Sequence, residues 1–384
     1  MKKEQLKKII DVAMKRIPAD LVLKNASVID LFNGETVKGD IAISDEWIAG
    51  VGSYEGVTEI DASDLYASPG LIDSHIHIES SYLTPEEFGS LVVPHGTTTI
   101  IADPHEIVNV NGFAAMEYMI KAGERTALDI HYMFPSSVPA TSFETAGATI
   151  TSQDMAGVLE RPDIQGLGEF MNSVGVFLAD DESLNKLMLA RDAGVVIDGH
   201  SPGLKGDALN AYIAAGIKTD HECTSIAEMN DRLSRGMYVL LRQGSACHDL
   251  ERLVQGVTSR NYRRCLLCSD DRQPKTIFEH GHLEHHLRIC REAGLDVYTS
   301  LAMASLNAAE CYRLYDRGAI APGLRADIVL FENLDNFDVK QVFIAGAEVA
   351  RDGEYLPEVN KYPTDAVSSS MHVKNYNIDR KSVV

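Results

Sequence analysis

Between residues 70 and 316 the chain alternates short apolar runs with stretches of helical period, whereas the flanking segments alternate polar and apolar residues one by one. A short apolar run bounded by turn residues reads as a buried strand, and strands separated by helix-length segments read as βα units around a parallel sheet. Eight such runs occur, at 71–78, 97–102, 128–134, 164–169, 195–200, 217–221, 238–242 and 263–270. Eight βα units predict an α/β fold of the TIM (β/α)8 type, whose chemistry gathers at the C-terminal ends of the strands. Thr84-Pro85-Glu86-Glu87 predicts the start of the helix after the first strand, with the Thr84 hydroxyl and Glu87 forming a capping box around Pro85 at the first helical position.

The flanks predict other elements. Leu6, Ile9, Ile10, Ala13 and Ile17 lie at helical spacing, so an amphipathic helix over residues 2–18 should dock on the body and stop at Pro18. Leu21–Asp30, Gly39–Ile43 and Trp47–Val51 have strand period cut by Asn-Gly and Gly turns, the pattern of a small antiparallel sheet. Gly318–Phe331 and Val339–Gly346 return to that pattern and are expected to rejoin it. The expected organisation is a helix at 1–19, a small β domain built from 20–68 and 318–352, the barrel at 69–317, and a tail at 353–384 whose polar, aperiodic text fits disorder.

Composition narrows the partners. Lys+Arg 35 against Asp+Glu 56 gives a net charge of −21, which disfavours nucleic-acid backbones and anionic membranes and suits a small-molecule substrate. Neither a signal-peptide h-region nor an apolar run long enough to span a bilayer occurs, so a cytoplasmic location is expected. Cysteines 223, 247, 265, 268, 290 and 311 lack disulfide-framework spacing and read as reduced core thiols. Cys265 and Cys268 are three apart on a strand and face opposite ways, so they cannot form a metal pair. The zinc deaminase order, His-x-Glu before Pro-Cys-x-x-Cys, is also absent: His282-Leu283-Glu284 follows the cysteine pair, which has no preceding proline.

The polar residues that end the apolar runs carry the chemistry. His75 and His77 are two apart on one strand and share a face. Glu169, His200, His221 and Asp270 end the runs at 164–169, 195–200, 217–221 and 263–270. Four imidazoles and two carboxylates at one barrel rim form a metal site, and a bridging Glu169 would let the set hold two divalent ions. Oxygen and nitrogen ligands without thiolate favour Mn or Fe, with Zn as the alternative. His105 and Glu106 follow the second strand on the same rim and could polarise a substrate or relay a proton; they could equally be a helix N-terminus with its favourable acidic residue. Arg242, ending the seventh run, and His282 are candidate substrate contacts, and the rest of Glu279–His286 reads as a solvated helix.

The text around these residues resembles the amidohydrolase superfamily, and more narrowly its adenine deaminase family. The resemblance rests on Ser68-Pro69-Gly70-Leu71-Ile72-Asp73-Ser74-His75-Ile76-His77-Ile78-Glu79-Ser80-Ser81, Ala102-Asp103-Pro104-His105-Glu106, Asp198-Gly199-His200-Ser201-Pro202-Gly203-Leu204, Asp220-His221-Glu222-Cys223-Thr224 and Cys268-Ser269-Asp270-Asp271-Arg272, and runs from the β sheet to about residue 350. It implies metal ligands at His75, His77, Glu169, His200, His221 and Asp270, with glutamate in place of the carboxylated lysine that many relatives use. It also implies hydrolytic deamination of adenine to hypoxanthine and ammonia by metal-activated water, in purine salvage; Asp270, at the metal and beside that water, is then the natural proton shuttle. The alternatives are another deaminating or cyclic-amide amidohydrolase, or a non-catalytic metal-binding paralogue. Barrels of this family often pair, which leaves a homo-oligomer open. Adenine deaminases usually continue into a further C-terminal domain, whereas this text stops at Val384, so the expected form lacks that domain.

Overall fold

The computed structural model describes residues 1–141 and 143–370, so the part of the expected tail from 371 to 384 lies outside the described residues. Each of the eight apolar runs contains a parallel strand. The first five strands of the chain, β1 (Ala19–Asp30), β2 (Glu35–Ser44), β3 (Trp47–Gly52), β4 (Gly56–Asp61) and β5 (Tyr66–Pro69), precede them. The runs then give β6 (Leu71–Ile76), β7 (Thr97–Ala102), β8 (Asp129–Phe134), β9 (Ile164–Phe170), β10 (Val196–Gly199), β11 (Thr219–Asp220), β12 (Tyr238–Arg242) and β13 (Cys265–Cys268).

Parallel pairing orders these eight as a five-stranded sheet, β10-β9-β8-β7-β6, and a three-stranded sheet, β11-β12-β13. Backbone hydrogen bonds cross both seams. Asp270 N donates to His75 O at 2.9 Å, and Lys218 N donates to Ile197 O at 3.0 Å. The architecture is TIM-barrel-like. Strands β6, β7, β10 and β13 are buried along their whole length, as expected for strands covered on both faces.

After the barrel-like part come β14 (Ile328–Phe331), β15 (Val339–Ile344), β16 (Ala347–Arg351) and β17 (Glu354–Tyr355). They join the N-terminal strands in one nine-stranded sheet of order β17-β16-β15-β14-β5-β1-β2-β3, with β4 on β1. The sheet is mixed, which corrects the antiparallel expectation. β1 runs antiparallel to β2 but parallel to β4 and β5. The long β1 is bulged between Leu23 and Ala26, and its halves take different partners on the side away from β2, so no single alternation pattern describes its pairing.

Three local expectations differ from the structure. Helix α1 (Lys3–Ala13) ends four residues before Ile17, at a left-handed Lys15 (φ 58°), and buries only Ile9 and Val12. Leu6, Ile10 and Ile17 stay exposed, because the contact with the sheet is narrower than the apolar stripe. Helix α2 (Pro85–Val92) does begin at Pro85, but the Thr84 hydroxyl makes no cap and is buried without a partner. Glu87 instead pairs with Lys361 at 2.6 Å.

That pair belongs to the third difference: residues 353–370 are ordered against the body rather than free. Tyr362 N donates to Glu86, Arg125 donates to Lys361 O at 2.9 Å, and Asn111 Nδ2 donates to Ala366 O at 2.8 Å. Asn111 lies in α3 (His105–Gly123), at a break where Asn111 and Gly112 leave helical geometry. Among the cysteines, five are buried and Cys247 is exposed, so the core-thiol expectation fails for Cys247 alone. No helix among the described residues is long and apolar enough to cross a membrane.

A buried ion pair braces the loops after β10 and β11. Arg232, fully buried, donates from Nε to Asp220 at 2.8 Å and from its two other nitrogens to Leu204 O at 2.9 Å and Ser201 O at 2.6 Å. Removing one partner of a buried pair strands the other charge, at a cost of about 3–5 kcal/mol. Arg232→Met is therefore expected to lose that much in urea unfolding, and a loss below about 1 kcal/mol would contradict the pairing.

Candidate metal centre

Every strand that contributes a donor ends at one rim, and the loop turns that follow aim the side chains at one point. His75 and His77 leave β6 with their Nε2 atoms 3.1 Å apart. His77 Nδ1 lies 2.8 Å from the backbone oxygen of Asp103, which can only accept, so Nδ1 carries the hydrogen and Nε2 presents a lone pair. That lone pair faces Asp270 Oδ1 at 3.2 Å and Glu169 Oε1 at 3.5 Å. The opposite oxygen of Glu169, Oε2, lies 2.8 Å from His200 Nδ1 and 3.3 Å from His221 Nε2. All six residues expected as ligands thus meet, with Glu169 between the two groups.

Glu169 is held in place by its own neighbours. Its backbone N donates to Asp103 Oδ2 at 2.8 Å, an approach possible because residue 168 is glycine. A Cβ at Gly168 would stand 2.3 Å from that oxygen. Asp270 adopts a left-handed backbone (φ 55°), which Asp tolerates better than most residues, with its N–H on His75 O and its carbonyl accepting from His77 N at 3.3 Å.

His105 and Glu106 open α3 and also reach the centre. His105 Nδ1 lies 3.2 Å from Glu169 Oε1, and Glu106 Oε2 lies 3.5 Å from His77 Nδ1. Arg242 stands at the rim but is engaged by Glu222, Asp249 and Asp270, which corrects its reading as a free substrate contact.

His282 is not part of the site. It is fully buried behind β6 and β7, its Nδ1 2.8 Å from the Thr97 hydroxyl and its ring 6.0 Å from that of Phe88. The helix Leu283–Glu292 turns Glu284, His286 and Leu287 inward, so the solvated-helix reading fails here too and His282 is pulled into the core.

Two acidic neighbours carried no role in the sequence reading. Glu222 Oε1 lies 3.5 Å from His221 Nε2, because the chain has left strand geometry after Asp220 and Glu222 N donates back to Asp220 Oδ1 at 3.2 Å. Strict alternation would have sent it to the other face, and only its adjacency to His221 hinted at it. Glu79, two residues past His77, receives the Ile107 N–H at 3.2 Å on Oε1 and leaves Oε2 buried and unpartnered.

The electrostatics are those of a centre built around positive charge. Burial works against ionisation of Glu169, but the close approach of His200, His221 and His77 holds its carboxyl well below the usual range. Asp270 is likewise held low against burial, by His77, His221 and His75. Burial lowers His221, yet the neighbouring carboxylates of Glu169, Asp270 and Glu222 raise it to about 9. His75 is pushed well down by burial and by His221 and His77. Burial and the Glu106 charge push Glu79 up to about 8.

These donors fit a divalent metal. Glu169 Oε2, His200 Nδ1, His105 Nδ1 and Glu106 Oε2 are buried with no hydrogen-bond partner. The groups His75-His77-Asp270 and His75-Glu169-His221 each present ligand atoms within 4.8 Å of one another. Lone pairs that converge without a hydrogen between them need a cation, and nitrogen with carboxylate oxygen suits a divalent one.

Comparison with known proteins gives the family. The sequence profile described as "Amidohydrolase family" matches residues 66–349. The chain belongs to the amidohydrolase family. It is 55% identical over 380 residues to "Adenine deaminase 2" of Desulfotalea psychrophila, covering 99% of this chain and 66% of that protein. With "Adenine deaminase" of Ligilactobacillus salivarius it shares 52% identity over 98% of this chain and 65% of the relative. This amidohydrolase chain therefore spans just under two thirds of the length of the curated relatives it matches.

Among solved structures, a β-aspartyl dipeptidase from Fervidobacterium islandicum covers 88% of the chain and 98% of its own, at TM-score 0.64 and 17% identity. Phenylurea hydrolase B covers 89% of the chain and 100% of its own, at TM-score 0.62 and 17% identity. These neighbours speak to the fold alone.

Metal ions bind neutral imidazole, so loading must displace the proton that His221 holds up to about 9. His77 is held protonated well above the ordinary range too, so the apparent Mn affinity of chelator-treated protein is expected to rise with pH from 7 to 9, by about tenfold per unit for each displaced proton. Calorimetric titration at several pH values measures this; affinity independent of pH over that range would contradict the arrangement.

Proposed function

We propose that this amidohydrolase hydrolyses adenine to hypoxanthine and ammonia. The observation that carries the reading is the 55% identity over 99% of the chain to a protein named adenine deaminase 2. The converging donor set supports it. We read the eight parallel strands as one closed barrel spanning 69–317, with a small β domain from 20–68 and 318–352. The substrate is a small purine, neither nucleic acid nor membrane is a partner, and the place of action is the cytoplasm. A homo-oligomer accords with this reading.

The centre is read as holding two divalent ions, Mn first, with Fe or Zn able to substitute, through His75, His77 and Asp270 on one side, His200 and His221 on the other, and Glu169 between them. Such ions supply a water acidic enough to attack at neutral pH. The chain's own residues do the rest. Asp270, ionised and with Oδ1 facing His75 and His77, carries one proton of the attacking water to the purine ring nitrogen, which keeps it, and then the remaining hydroxyl proton to the amine, which leaves as ammonia as the C–N bond breaks. His105 beside Glu169 and Glu106 beside His77 orient the ring and its exocyclic amine. Glu79, uncharged at neutral pH when pushed up to about 8, leaves Glu106 as the charged member of that pair.

The test is ammonia release together with the adenine-to-hypoxanthine absorbance change, in Mn-reconstituted protein under reducing conditions. Conversion abolished by chelator is expected. Asp270→Asn is expected to lower kcat by about 10²–10⁴-fold, the usual worth of a positioned proton-transfer group. Metal binding without conversion of adenine would refute the assignment.

A further inference from the structure

The sequence offers Arg242 at the rim as a candidate substrate contact, and the structure leaves its guanidinium nothing with which to hold a substrate. A guanidinium has five N–H hydrogens. Nη1 contacts Glu222 Oε1 and Asp270 Oδ2, the latter at 2.9 Å. Nη2 contacts Asp249 Oδ2 at 3.0 Å and Glu222 Oε2 at 3.4 Å, and Nε contacts Asp249 Oδ2 at 3.2 Å. Every hydrogen is thus directed at a carboxylate, and the side chain is buried.

The same contacts give Arg242 another use. Asp270 needs one oxygen, Oδ1, facing His75 and His77 at 3.7 Å and 3.2 Å. A free carboxylate rotates about its terminal bond, whose torsional preference is broad. Its backbone is in a left-handed conformation, so the side chain is not fixed by a common rotamer environment. The guanidinium on Oδ2 removes that rotation. Glu222, beside His221, is gripped by the same nitrogen. Asp249, at the start of the short helix Leu250–Leu253, anchors the guanidinium from behind and lies outside the donor groups of the centre.

We propose that Arg242 is a positioning residue: it aims Asp270 for proton transfer and fixes Glu222 beside His221, with Asp249 as its anchor, and it does not bind substrate. This rests on the deaminase reading above. A lysine places a single ammonium on a flexible stem and cannot meet three carboxylates in the geometry of the planar fork.

The variants Arg242→Lys, Arg242→Ala and Asp249→Asn separate the possibilities. Each is expected to lower kcat while KM for adenine stays within about threefold, since an interaction used only to aim a catalytic group leaves ground-state binding alone. The order of loss should be Ala, then Lys, then Asn at 249. Bound Mn measured by elemental analysis should remain at the wild-type level in all three, and added guanidinium or methylguanidinium should restore part of the kcat lost in Arg242→Ala. A raised KM at unchanged kcat would make Arg242 a substrate contact and overturn the proposal. So would wild-type kcat in Arg242→Ala, or loss of bound Mn from Asp249→Asn, which lies outside the donor set and guards against a folding defect at 242. A wild-type protein that binds Mn but does not convert adenine refutes the deaminase reading itself, a result distinguishable from all of these.

Discussion

One buried carboxylate sets the terms for the rest of this molecule. Glu169 lies within 3.5 Å of ring nitrogens on His77, His105, His200 and His221, which come from four different strand ends or the loops after them. Taking a carboxylate out of water is costly unless opposite charge meets it. The lone pairs that point at one another here, with buried atoms of Glu169, His200 and His105 lacking hydrogen-bond partners, are reconciled by a cation. Strand order follows from the same need, because only the ends of parallel strands around a curled sheet bring residues 75 to 270 to one place.

Holding such a cluster requires a second layer of fixed groups, and the structure supplies it as buried acids, each tied to donors from another strand. Asp103 orients Glu169 through its backbone N–H, and Asp73 receives the N–H of Ser269, just before Asp270, at 3.0 Å. Asp198 receives the Thr219 hydroxyl at 2.8 Å and the Tyr312 hydroxyl at 3.0 Å, joining β10 to β11. Asp220 with Arg232 braces the loops on which His200 and His221 stand. Every one of these acids lies beside a donor in sequence or space, so the supporting layer and the centre form together.

Much of this could be read from the residues. Apolar runs of the right length marked all eight parallel strands, and the polar residues toward the ends of five of them pointed to the side chains that converge, because strand burial and strand-end chemistry are local in sequence. What depended on distant packing was not legible. His282 reads as a rim histidine until it is seen packed on Thr97 and Phe88, just ahead of the helix Leu283–Glu292 that turns Glu284 and His286 inward. Arg242 reads as a free cation until Glu222 and Asp249 close on it. The mixed pairing of β1 and the docking of residues 353–370 onto Glu86, Arg125 and Asn111 also rest on contacts between segments far apart in the chain.

The central claim is that the six donors around Glu169 form one centre for a pair of cations. Anomalous diffraction from crystals of Mn-loaded protein, recorded at the manganese edge, tests it directly. The expected result is two peaks flanking the Glu169 carboxylate, about 3.5–4 Å apart as in two-metal hydrolytic sites, one against His75, His77 and Asp270 and the other against His200 and His221. A single peak away from Glu169, or none at this rim, would contradict the account.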